Sequence, residues 1–98
     1  MNDITSFCSN SYIKPILTKV LVHQKDGKKY AVATDSFRLI EWEITDDFLF
    51  ESIKCGYYNI IEWKTMCKAY NKKKKDLKTF YSVLKDKPEV LDTTDYPD

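Results

Sequence analysis

The sequence predicts an α+β domain: an antiparallel sheet with a helix packed on one face. Three observations carry this. Three runs of alternating or β-branched residues fall close together between positions 16 and 44, and the first two are joined by Asp26-Gly27. A separate stretch then places Trp63, Met66, Cys67 and Tyr70 at helical spacing. Strands followed by a helix, without βαβ alternation, give the α+β class. The chain has 98 residues, 43% apolar and 14% aromatic, enough for one small packed domain and too few for two.

Met1–Lys14 shows little pattern and reads as a lead-in, or as the last turn or two of a helix. Ile16–Gln24 reads as a strand after Pro15. Val20 and Val22 share one face and Leu17 and Leu21 the other, so an interior position is expected. Lys25-Asp26-Gly27-Lys28 forms the hairpin to Lys29–Thr34. The third strand is Arg38–Ile44, with Ile40, Trp42 and Ile44 on the face opposite Leu39, Glu41 and Glu43. Between the second and third strands, Asp35-Ser36 is turn chemistry, because both side chains can bond nearby backbone N–H groups. An arginine, Arg38, is thereby held at a tight corner.

Phe48–Ile53 reads as a packing linker or a short strand. Gly56-Tyr57-Tyr58-Asn59-Ile60 leads into a helix over 59–75, with an end near Asn71 as the shorter alternative, and Asn59 and Glu62 have the spacing of its capping box. Lys64, Lys68, Lys72 and Lys75 lie on a different face from the Trp63–Tyr70 stripe. Leu77–Leu84 fits either period, and strand is the expectation taken. Pro88 ends it, and the remainder to Asp98 is acidic.

Net charge is only +1, but it is unevenly spread. Lys64–Lys78 holds seven lysines against one aspartate. Cys8, Cys55 and Cys67 form no CxxC pair and are accompanied by a single histidine, so neither a disulfide framework nor a zinc site is expected. They read as buried free thiols. No segment reads as a signal peptide or a membrane span, and a cytosolic protein with no membrane partner is expected. An enzyme is not expected. His23 stands alone on a strand, the two glycines cannot build a phosphate-cradling loop, and Asp46-Asp47 and Glu41/Glu43 read as solvent-facing. No cofactor and no metal are expected.

The strand Pro15-Ile16-Leu17-Thr18-Lys19-Val20-Leu21-Val22, the Asp-Gly hairpin and Val32-Ala33-Thr34-Asp35-Ser36-Phe37-Arg38-Leu39 together resemble the bacterial β sliding clamp, the processivity subunit of the replicative polymerase. That family shows a P-x-L-x-x-V strand and an ATD-G-H-R-L corner at this spacing. The closing Tyr96-Pro97-Asp98 resembles its [FY]-P-[DN] domain end. Between Leu39 and Tyr96 the agreement is in the order of elements only. The resemblance is to the middle clamp domain. It implies a processivity factor that encircles duplex DNA without reading its sequence and docks short motifs of the polymerase and the clamp loader. Carried over, the peptide pocket is Leu17, Thr34, Ser36, Phe37, Arg38, Leu39 and Pro97. DNA contact falls to Lys64, Lys68, Lys72 and Lys75, since diffuse phosphate attraction suits a sliding protein.

The chain departs from the family pattern at Ser36 and Phe37, where Gly and His are usual, and it lacks most of the first clamp helix. A fragment, a truncated frame or a degenerate phage-type clamp is the expectation, with a homo-oligomeric ring only if the full chain is longer. The competing reading is a small standalone nucleic-acid-binding protein, with Trp63, Tyr70, Phe80 and Tyr81 interleaved among the lysines for stacking on single strands.

Overall fold

The computed structural model describes residues 1–8, 18–35, 37–85 and 87. Its frame is a four-stranded antiparallel sheet made of β1 (Lys19–Lys25), β2 (Lys28–Thr34), β3 (Leu39–Glu43) and β4 (Gly56–Asn59), in the order β3-β2-β1-β4. The three-strand meander and the interior place of the first strand follow the sequence reading. Asp26 and Gly27 have φ of 54° and 77°, and Lys25 pairs directly with Lys28. This is the two-residue turn that Asp-Gly favours, because glycine enters positive φ without steric cost.

The register divides the side chains between the two faces. Val20 of β1 lies opposite Tyr58, Val22 opposite Ala31, and Ala31 opposite Trp42. These residues belong to one core cluster with Ala33 and Ile40. The small Ala31 and Ala33 leave room for the larger Trp42 and Ile40 beside them. Leu21 and Val32 pair on the other face and are buried with Tyr30 and Tyr57 against them.

Two helices and the N-terminus cover the first face. Helix α2 (Ile60–Asn71) starts at the expected capping box. Asn59 Oδ1 accepts from Glu62 N at 2.7 Å, and Glu62 Oε1 accepts from Asn59 N at 2.9 Å. Its stripe of Trp63, Met66, Cys67 and Tyr70 is buried throughout. Burial raises the Cys8 thiol to about 11 and the Cys67 thiol to about 12, as expected for packing residues rather than nucleophiles.

Helix α2 takes the shorter of its two expected ends, Asn71. Three segments differ from the sequence expectation. The run Asp47–Ser52 is a short helix, α1, because the Asp46 carboxylate caps it by accepting from Leu49 N at 3.0 Å; Leu49 and Ile53 are then buried four residues apart. Gly56–Asn59 is a strand and not merely a lead into the helix. Gly56 has a φ of 145°, a backbone conformation that side chains disfavour, and it pairs with Val22 at the end of β4. Finally, Leu77–Leu84 is helix α3, not a strand. Asp76 accepts from Thr79 N at 3.1 Å and from Thr79 Oγ1 at 2.6 Å, and Phe80 and Leu84 are buried four apart. The cap decides between the two periods.

The N-terminal lead-in is a packed strap. A single 3-10 turn, Thr5–Phe7, follows Ile4, and Ile4, Thr5 and Cys8 are buried. The strap lies against α2. Trp63 Nε1 donates to the Asn2 carbonyl at 2.9 Å, and Asn71 Nδ2 donates to the Met1 carbonyl at 2.7 Å.

Candidate docking corner and lysine surface

The corner between β2 and β3 is built around Asp35. Its Oδ1 accepts from Phe37 N at 2.9 Å and from Arg38 N at 2.8 Å, while Oδ2 lies 3.3 Å from Arg38 Nε. Thr34 Oγ1 donates to the Arg38 carbonyl at 2.6 Å, and Asp35 N donates to the same oxygen at 3.3 Å. The guanidinium of Arg38 also donates to the Ser6 carbonyl at 3.2 Å and sits 5.2 Å from the centre of the Phe7 ring. The corner is therefore closed by its own side chains and tied to the N-terminal strap.

This arrangement sorts the expected pocket residues. Thr34 is 4% exposed and faces inward, so it positions the corner. Phe37 is 95% exposed and Leu39 47% exposed, giving two apolar side chains at the surface beside Arg38. Arg38 keeps a partly exposed stem and head. Leu17, Ser36 and Pro97 lie outside the described residues. The sequence reading omitted three participants from its site. Asp35 was legible from its turn chemistry. Ser6 and Phe7 reach Arg38 across 32 and 31 positions, a separation that leaves no local signal.

The backbone N–H of Arg38, then that of Phe37, holds the Asp35 carboxyl below its usual range. Leu49 N–H does the same for Asp46, followed by the Tyr70 hydroxyl, and the Thr79 hydroxyl and N–H do so for Asp76. These bonds exist only in the folded chain. Unfolded aspartates titrate near pH 4, so below that the unfolded state binds more protons. The stabilisation from these three groups is fully present above about pH 5 and is lost as pH falls through the lower folded values. Urea midpoints measured from neutral to acid pH are expected to hold level and then fall below about pH 4.

The lysines do not form one helical stripe. Only Lys64 and Lys68 ride on α2; Lys72 is its C-terminal cap and Lys75 lies in the connection to α3. Lys64 pairs with Asp3 at 3.2 Å, and Lys72 with Asp76 at 3.8 Å. Lys75 lies 4.8 Å from the centre of the Tyr70 ring. Lys68, Lys73 and Lys74 are exposed and have no ion pair among the described residues. Exposed pairs hold weakly, so phosphates can compete for Lys64 and Lys72.

Three of the four aromatic side chains expected to stack on single strands are buried. Trp63 and Phe80 are fully buried and Tyr70 is 8% exposed, so none can stack on a base; Tyr81 alone of the four reaches solvent. His23 stacks on Tyr30 at 5.6 Å, with Nε2 3.9 Å from Glu41. No three His, Cys, Asp or Glu residues converge as a metal site among the described residues. Nor is any helix among them long and apolar enough to cross a membrane. No protein-family model matches the chain, and neither does any curated protein or solved structure.

Proposed function

We propose that this chain is a clamp-type replication module that docks short peptide motifs at the β2–β3 corner. The observation that supports this most is the closed corner itself. Asp35 and Arg38 fix the turn, and the fixed turn presents Phe37 and Leu39 to solvent. An exposed phenylalanine costs solubility and gives nothing to the core. Beside an arginine it suits a peptide with aliphatic and aromatic anchors, which bind through apolar contact and are oriented by a few polar groups. The bonds from Phe37 N and Arg38 N to Asp35 hold these residues before a ligand arrives, which lowers the ordering cost of binding. The ATD-x-x-R-L resemblance to β sliding clamps points to motifs of a polymerase and a clamp loader as the ligands, within the cytosol.

In this reading the lysines of α2 and of the α2–α3 connection attract duplex DNA without reading it, as part of a ring completed by further domains or copies. Lys68, Lys73 and Lys74 are best placed, with Lys64, Lys72 and Lys75 released from their partners when phosphates approach.

Fluorescence anisotropy separates the two activities. A labelled peptide with aliphatic and aromatic anchors is expected to bind with little dependence on salt. A labelled duplex is expected to bind weakly, regardless of sequence, and to dissociate between about 50 and 200 mM salt. Peptide binding absent at millimolar concentration overturns the docking function. Tight single-strand binding that survives high salt favours a standalone nucleic-acid-binding protein instead.

A further inference from the structure

The geometry points to a second docking site, distinct from the corner, for an acidic peptide segment carrying one apolar anchor. An open groove of about 590 Å³ runs between the end of α1 and one side of α3. Its lining is Ser52 and Lys54 from the α1 side, and Lys78, Tyr81, Ser82, Leu84 and Lys85 from α3. Lys78, Tyr81, Ser82 and Lys85 follow the i, i+3, i+4, i+7 spacing, so one face of α3 forms a wall.

The charge is one-sided. Three lysines line the groove and, among the described residues, no carboxylate does. Lys54 Nζ donates to the Leu84 carbonyl at 3.1 Å and to the Lys87 carbonyl at 2.9 Å, which holds its ammonium at the end of α3. Carbonyl dipoles orient that charge without cancelling it. Lys78 and Lys85 are exposed and have no ion pair among the described residues. An anionic partner meets three ammonium groups.

Spacing and floor specify the partner. Lys78 and Lys85 are seven residues apart, roughly 10 Å along a helix axis. An extended peptide covers that distance in about three residues. Tyr81, 45% exposed, gives an apolar surface between the two charges, with the 4% exposed Leu84 beneath it adding little. The fitting ligand has acidic side chains three positions apart and an aliphatic or aromatic side chain between them. A nucleic-acid strand fits less well. Among the described residues Tyr81 is the one ring in the lining, and it is already packed edge-on against Phe48 and Phe80, whereas single strands are gripped by successive rings.

The test is a ¹⁵N NMR titration of the full chain with an acetylated octapeptide holding two glutamates three apart around a leucine. Shifts are expected at Ser52–Lys54 and along Lys78–Lys85, with the corner unmoved. The double variant Lys78→Glu/Lys85→Glu, both sites exposed, is expected to melt like the parent and bind at least tenfold more weakly. Replacing the glutamates by glutamine, or the leucine by serine, is expected to weaken binding similarly. No groove shifts at millimolar peptide, shifts confined to the corner, or displacement of the peptide by a short oligothymidylate at lower concentration would each overturn the assignment.

Discussion

Trp63→Ala is expected to lower the melting temperature by roughly 15–30 °C, the largest effect of any single substitution considered. Trp63 is fully buried at the start of the α2 stripe, edge-on to Tyr58 of β4 at 5.8 Å. Its indole N–H also anchors the N-terminal strap through Asn2. Truncation removes the ring that joins sheet, helix and strap, and it leaves a cavity in a close-packed interior. Losses of this kind run to about 3–5 kcal/mol. A whole domain has only about 5–15 kcal/mol to lose. Trp63→Phe keeps most of the ring but not the hydrogen bond, so an intermediate melting temperature is expected. Melting followed by circular dichroism measures both. An alanine variant within a few degrees of the parent would show that the strap and sheet do not depend on this contact.

Phe37→Ala should do the reverse, leaving the fold intact and removing function. The ring is almost wholly in solvent, so stability is expected to change by less than about 0.5 kcal/mol. Peptide affinity at the corner is expected to fall tenfold or more, which corresponds to at least about 1.4 kcal/mol. Leu39→Ala should act in the same direction with a smaller effect, because about half of that side chain is already covered. Anisotropy with the same labelled peptide gives the affinities, and thermal melts give the control. A Phe37→Ala chain that binds as well as the parent would remove the ring from the docking surface.

Local chemistry made parts of this fold legible in sequence. Asp26-Gly27 dictates its own turn, Asn59 and Glu62 cap each other, and the Trp63–Tyr70 stripe has a single period. What escaped was set over long range or was ambiguous locally. Strand β4 is four residues long and exists through pairing with β1. Helix α3 carries apolar residues at both periods, and only the Asp76–Thr79 cap decides between them. The strap depends on bonds such as Asn71 to Met1, seventy positions apart. At the site, the turn chemistry of Asp35 was readable, and its pairing with Arg38 lies only three positions on. The division of Thr34 inward and Phe37 outward was not, since it follows from how the closed turn sits on the sheet. The lysine run gave its charge in sequence but not its geometry, which changed once α2 stopped at Asn71.

Whether the corner is a docking site is tested most directly by mapping where a clamp-binding type of peptide, with aliphatic and aromatic anchors, touches the ¹⁵N-labelled chain. Fast-exchange shifts that saturate and centre on the amides of Thr34, Asp35 and Phe37–Leu39, with the Lys78–Lys85 amides still, are the result expected. A titration to millimolar peptide that leaves those corner amides in place contradicts the docking function.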